Sequence, residues 1–115
     1  MGYGEEPRAL SEIVAAMDEL TEQVWYNRHK NREWEIKQGV LKVVSHDDWV
    51  KAGSDNQTHM VDSVWDGAQM AAADTLKRLG KAKCGPHDDF EWGMINGKLS
   101  AIRWMLGDDW DMLDT

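Results

Sequence analysis

The sequence predicts an all-α protein, a small helical bundle of three long helices and two short ones with the third long helix at its centre. Apolar residues recur at helical spacing along three separate stretches, and Gly or Pro residues separate these stretches. The chain has 115 residues, enough for one continuous hydrophobic core but not for two. We therefore expect a single helical domain over residues 1–115.

The first long helix is expected to follow a short arm that contains Gly and Pro, with Ser11 as its N-cap. Neither Gly nor Pro interrupts the segment before Gly39, so the helix is expected to end one or two residues before that glycine. Its apolar stripe becomes polar after Val24, so this end of the helix either leaves the core or carries polar side chains into a cavity. The stripe consists of Leu10, Ile13, Val14, Met17, Leu20, Val24 and Trp25, and its polar continuation of Arg28, Asn31 and Glu35.

Residues 40–44 are rich in β-branched side chains but are interpreted as an extended loop, because a lone short strand without a partner is unstable. Ser45 followed by Asp48 matches a helix-capping signal, and Gly53 supplies the expected end of a helix. One short helix is therefore expected between the first two long ones.

The second long helix is expected to start at Ser54, Asp55 or Thr58 and to end before Gly80, because Gly is favoured just after a helix. Several alanines make its apolar face shallow, which allows a neighbouring helix to approach closely. Residues 81–86 are expected to form a loop. The face consists of Val61, Val64, Trp65, Ala68, Ala72, Leu76 and Leu79.

The third long helix is expected to start at Asp88 or Asp89 and to reach about Leu106, with a last short turn over residues 109–113. It is apolar on two opposite sides, which predicts burial on both. In so small a chain, one of these sides is then expected to meet a second subunit. One side carries Phe90, Gly93, Met94, Gly97, Ala101, Trp104 and Met105, and the other carries Trp92, Ile95, Leu99, Ile102 and Leu106.

The stretch GMINGK, which begins at Gly93, partly matches a phosphate-binding P-loop. The spacing between its glycines is one residue short, and Leu99 replaces the required Ser or Thr. Continuous helical periodicity favours a packing role, because Gly93, Gly97 and Ala101 follow at intervals of four residues and form a groove for another helix. We expect these three residues, with Trp104, to form a helix-packing or subunit interface.

Composition narrows the possible partners and location. The net charge of −8 opposes nucleic-acid binding, which needs a surplus of Lys and Arg, so no nucleic-acid partner is expected. The seven Trp residues predict that some indoles face another subunit or a ligand. The single cysteine, Cys84, rules out an intramolecular disulfide, and no apolar stretch approaches the length of a membrane span. A cytoplasmic location is expected, with no membrane partner.

Two runs carry a resemblance to other proteins. The C-terminal run EWGMINGKLSAIRWMLGDDWDMLDT and, more weakly, VWYNRHKNREWEIKQG resemble segments of small uncharacterised bacterial proteins. The likeness covers about a third of the chain. It implies a bacterial protein but no activity and no catalytic residues.

The polar end of the first long helix contains the best candidates for ligand binding. Arg28 offers a bidentate fork for a carboxylate or phosphate, Asn31 pairs with amides or bases, and Trp side chains provide a stacking wall. The arrangement suits a small-molecule pocket, a partner interface or a helix end that simply emerges into solvent. The candidate residues are Trp25, Arg28, Asn31, Trp34 and Glu35.

Three Asp pairs followed by an aromatic residue resemble metal-ligand clusters: HDDW at 46–49, HDDF at 87–90 and GDDW at 107–110. All three stand where a helix is expected to begin, and there Asp caps free N–H groups and interacts favourably with the helix dipole. Cys84 and His87 also have ligand spacing, but a zinc site needs four ligands and no second pair exists. No metal is assigned.

The segment Glu19-Leu-Thr-Glu22 resembles the ExxE motif of all-α nucleotide pyrophosphatases, whose carboxylates bind magnesium. The resemblance implies Asp62 and Asp66 as partner ligands. That family's second motif, ExxD, lies nearer in sequence, so the spacing here departs from the family pattern.

The leading hypothesis is a non-enzymatic cytoplasmic protein that forms a homodimer and binds a protein partner or a small ligand. It rests on the two-sided third helix, the seven Trp residues and the lack of a recognisable catalytic set. The alternative is a metal-dependent hydrolase of nucleotides or phosphate esters, of the all-α pyrophosphatase type. No catalytic residue and no cofactor is assigned.

Overall fold

A computed structural model describes residues 6–110 and shows a mostly helical protein, with 76% of its residues in helices and a small two-stranded parallel sheet. The fold class is confirmed at this level, and the sheet adds to it. No helix among the described residues is long and apolar enough to span a bilayer. The elements are α1 (Leu10–Lys37), β1 (Lys42–Val44), α2 (His46–Ala52), a 3₁₀ helix (Gly53–Thr58), β2 (His59–Val61), α3 (Asp62–Leu79), α4 (Lys81–Cys84) and α5 (Asp89–Met105).

The prediction of an extended loop over residues 40–44 is wrong, because this segment pairs with another strand. Lys42 to Val44 form β1, which pairs in parallel with β2 in the register Lys42 to His59 and Val44 to Val61. The partner lies in a segment that the sequence assigned to the start of the second long helix. Parallel pairing needs a crossover, and α2 with the 3₁₀ helix provides it.

Most helix ends lie where the local signals predicted them. The Ser45 hydroxyl accepts from the Asp48 N–H at 3.2 Å, and Gly53 follows α2 with φ +57°. A capping box opens α5, in which the Asp88 carboxylate accepts from the Glu91 N–H at 2.7 Å. The loop predicted over residues 81–86 is instead mostly the single turn α4. The short turn predicted over residues 109–113 lies largely outside the described residues.

The described chain contains two compact units, and α1 contributes to both. The α1–α5 unit comprises residues 1–24 and 87–115; in it α1 packs against α5, and Leu99 is fully buried. The α1–α3 unit comprises residues 25–86, and its core contains Tyr26, Ala72 and Cys84, with Trp25 and Leu79 packed against them.

Within residues 6–110, α5 is buried on one side only, whereas a central helix was expected to be buried on two. Leu99 on one side is 0% exposed, whereas on the other Phe90 is 75% exposed and Trp104 is 50% exposed. The apolar stripe of α1 is also only partly buried, because Leu10 and Val14 are exposed. Periodicity identifies an apolar face, but a neighbouring element is required to bury it.

Candidate functional site

The uncovered side of α5 is a continuous apolar face with glycines in the middle. At 3.6 residues per turn, Gly97 lies about 160° around the helix from the buried Leu99. Gly93, Gly97 and Ala101 are all exposed, and a Cβ atom built on either glycine would meet nothing within 4 Å. The structure therefore places the predicted glycine groove on the surface of the chain, with nothing in it from the described residues.

The residues of this face are arranged symmetrically about Gly97. Gly93 and Ala101 lie four residues before and after it, and Phe90 and Trp104 lie seven residues before and after it. Seven residues of helix correspond to about 10 Å along the axis. The face therefore has small residues at its centre and an aromatic residue at each end; we call it the α5 face.

Trp104 contacts a second indole. The rings of Trp104 and Trp110 meet edge to face with their centroids 5.0 Å apart, and both side chains remain largely exposed. Edge-to-face pairs orient aromatic rings favourably. One end of the α5 face is thus a pair of large, exposed aromatic side chains in contact with each other.

The candidate ligand residues at the end of α1 differ in their exposure. Trp25 is half-buried, while Arg28, Asn31 and Trp34 are exposed. The Asn31 amide donates to the Glu35 carboxylate at 3.0 Å, an ordinary contact one helical turn apart on the surface.

The side of this segment that carries Trp25 also contains a buried polar group that the sequence did not single out. His29 is 0% exposed and lies between two indoles, with ring centroids 5.3 Å from Trp25 and 4.7 Å from Trp65. Both pairs are nearly parallel, with interplanar angles of 21° and 18°. This stack links α1 to α3 in the α1–α3 unit.

One nitrogen of His29 faces two acceptor oxygens. Its Nε2 lies 2.7 Å from the Gln69 Oε1 and 3.4 Å from a Glu33 carboxylate oxygen. Because a carboxylate only accepts, Nε2 is the nitrogen that carries the proton. The other ring nitrogen, Nδ1, is buried without a hydrogen-bond partner among the described residues.

Glu33 also holds an ammonium group. The Lys30 Nζ lies 2.9 Å from the second Glu33 oxygen and 5.9 Å from the centroid of the Tyr26 ring. The hydrogen bond to Glu33 raises the pKa of Lys30 above its usual value, against the opposing effect of partial burial. Burial by itself would raise the pKa of Glu33, but the hydrogen bond and charge of Lys30, with the charge of Lys37, outweigh it and hold that pKa below its usual value.

A groove runs between α1 and α3 at this point. Two adjoining cavities, of about 330 Å³ and 190 Å³, share Glu33 and Gln69 as lining residues. Trp65 contributes to the wall of the larger cavity, and Tyr26 to that of the smaller one. We call this the α1–α3 groove; it is lined by Tyr26, Lys30, Glu33, Ile36, Lys37, Trp65, Gln69, Ala72, Ala73 and Leu76.

Sequence reasoning missed this groove because it extended the apolar stripe of α1 in a straight line past Val24. The side of the helix that faces α3 instead follows Tyr26, His29, Glu33 and Ile36, which recur at intervals of three or four residues. That recurrence was the available signal. It was obscured because two of the four residues, His29 and Glu33, are polar.

The metal-binding interpretations have no support among residues 6–110, where no group of three or more His, Cys, Asp or Glu is placed to hold a metal ion. Asp88 acts as a helix cap, and Cys84 is buried in the core with its Sγ directed at the Thr75 carbonyl. The described carboxylates of the pyrophosphatase-like motif are part of no such group.

Comparison with known proteins gives no further indication of function. No protein-family model, no curated protein and no solved structure matches the chain.

Proposed function

We propose that this is a non-enzymatic helical protein that forms a homodimer through the α5 face. The observation that carries the proposal is the symmetry of that face about Gly97. A two-fold axis through Gly97, perpendicular to the helix, makes two antiparallel copies of α5 face each other with the same residues. Phe90 of each copy then lies beside Trp104 of the other, and the small residues between them allow the backbones to approach.

The size of the face indicates a dimer of moderate strength. An aromatic side chain buries roughly 150–250 Å² when fully covered, so Phe90, 75% exposed, and Trp104, 50% exposed, together leave roughly 190–310 Å² uncovered in each copy. Met94 and Met105, which are also exposed, extend the face. A standard interface buries about 800 Å² on each partner, so this one falls toward the small end and suits a dissociation constant in the micromolar range.

Charge opposes the association and makes it dependent on salt. The α1–α5 unit, residues 1–24 and 87–115, contains 13 acidic and 3 basic residues. Two such units repel each other, and salt weakens that repulsion because the Debye length falls from about 10 Å at 0.1 M to about 3 Å at 1 M. The dimer is therefore expected to tighten as sodium chloride is added, the reverse of an interface held by ion pairs.

Sedimentation velocity between about 1 and 200 μM, at low and at high salt, tests the proposal. The wild-type protein is expected to pass from monomer to dimer within this range. Trp104→Glu is expected to remain monomeric, because it places a charge in the centre of the aromatic contact. Trp34→Glu is the matched control: Trp34 is 58% exposed, similar to Trp104, but lies in the α1–α3 unit.

A wild-type protein that stays monomeric at every concentration and salt level would remove the proposal. Equal dissociation of the dimer by both Trp variants would show that the contact lies elsewhere. No observation among the described residues favours the hydrolase alternative.

A further inference from the structure

The α1–α3 groove contains a complete arrangement for binding an ammonium group, independent of the α5 face. We propose that it is a site for an alkylammonium ligand, in which Glu33 supplies the negative charge and the rings of Tyr26 and Trp65 form walls. The ligand is either a free polyamine or a lysine side chain presented by a peptide, since both carry the same chemical group.

The first support is that the groove already holds an ammonium group of its own. Lys30 places its Nζ 2.9 Å from the Glu33 carboxylate and over the Tyr26 ring. A carboxylate together with an aromatic face is the usual environment for an organic cation. Lys30 therefore shows the position and partners that an external ammonium group would adopt.

The second support is that Glu33 is fixed while Lys30 is replaceable. The Glu33 side chain is 23% exposed, and one of its oxygens faces the Nε2 of the fully buried His29. Lys30 is 52% exposed on a flexible four-carbon stem, so it can turn into solvent. Exposed ion pairs of this kind contribute little to stability, so displacement of Lys30 costs little.

The third support is space next to the carboxylate. Ala72 and Ala73 are the smallest of the residues that line the cavity beside Lys30, and short side chains leave it open. The adjoining cavity lies beyond Glu33 and Gln69 and includes Trp65. An extended alkyl chain therefore has room on either side of its charged end.

Titration with two probes distinguishes the possible sources of the ammonium group. The probes are spermidine and a capped tripeptide with lysine at its centre. Binding of each probe is monitored by ¹H–¹⁵N chemical shifts and by calorimetry in 0.15 M salt. The same tripeptide with an acetylated lysine side chain should not bind, because it lacks the charge. The probe that binds more tightly identifies whether a free amine or a peptide is the preferred form.

Three variants test the site itself. Glu33→Gln should weaken binding by about tenfold or more, the loss expected for a charge-assisted hydrogen bond. Lys30→Met should strengthen binding roughly two- to fivefold, because the internal competitor is removed. Lys37→Met, which removes an equal charge from the groove without freeing Glu33, should have a smaller effect, and Glu35→Gln on the exposed side of α1 should have none.

Binding that is unchanged in Glu33→Gln, or weaker in Lys30→Met than in Lys37→Met, would overturn the proposal. So would equal weakening by Glu33→Gln and Glu35→Gln, since that result would indicate only general attraction to an acidic chain. Circular dichroism establishes whether each variant folds. If Glu33→Gln does not fold, Lys30→Met still tests the proposal.

Discussion

Substitutions of Gly97 should affect the stability of the single chain and the formation of the dimer in opposite directions. Gly97 lies inside α5 at the centre of the exposed face, and a Cβ atom there would meet nothing within 4 Å. Alanine is favoured over glycine within a helix by about 0.8–1.0 kcal/mol. Gly97→Ala should therefore stabilise the isolated chain by about that amount, which raises Tm by roughly 4 °C in a domain of this size.

The dimer should respond in the opposite direction to a larger side chain. Gly97 lies on the proposed two-fold axis, so a substitution places two new side chains against each other at the point of closest approach. Gly97→Leu should leave the isolated chain at least as stable as the wild-type protein, since leucine is a good helix former and has open space. The same variant should dissociate at concentrations where the wild-type protein is a dimer.

Gly67 provides the matched control. It lies inside α3, in the other compact unit, and a Cβ atom there also meets nothing within 4 Å. Gly67→Ala should give a similar gain in Tm in dilute solution and no change in the monomer–dimer equilibrium. The assays are thermal unfolding well below the dissociation constant and sedimentation above it. A Gly97→Leu protein that still forms the wild-type dimer would refute the reasoning, as would a Gly97→Ala chain destabilised in dilute solution.

Three further predictions concern the single chain. His29→Ala should destabilise it by about 2–4 kcal/mol in urea unfolding, because it empties a fully buried site between two indoles, whereas the exposed His46→Ala should cost less than about 0.5 kcal/mol. Asp88→Ala should lower the free energy of unfolding by about 1–2 kcal/mol through loss of the capping box, and Asp89→Ala should lower it by only a few tenths of a kcal/mol. Equal losses of stability in the two variants would contradict the capping role. Because its pKa is lowered on folding, Glu33 stabilises the chain above its unfolded-state pKa of about 4.3 and loses that effect as pH falls through the folded-state value. The Tm difference between the wild-type protein and Lys30→Met, reflecting a few tenths of a kcal/mol at pH 7, should therefore shrink as the pH falls and Glu33 is protonated, and a constant difference would exclude the Glu33 partnership.

Local signals in the sequence determined most helix ends, although α1 begins at Leu10, one residue before the predicted cap Ser11, and α3 begins only at Asp62. Ser45, Gly53 and Asp88 each act on backbone groups within four residues, so their effects do not depend on distant parts of the chain. The strand β1 shows the limit of that reasoning. Its β-branched residues were visible, but its partner, His59–Val61, lies beyond α2 and the 3₁₀ helix, and pairing at that distance has no local signature.

The two apolar sides of α5 were likewise evident from spacing alone. Only the tertiary structure decided that the Leu99 side is buried while the described residues leave the Gly97 side uncovered, because burial depends on which neighbour is present. The His29 site depended still more on tertiary structure. It requires Trp25 and Glu33 from one helix and Trp65 and Gln69 from another, brought together across about 40 residues of chain, a separation that helical periodicity does not report.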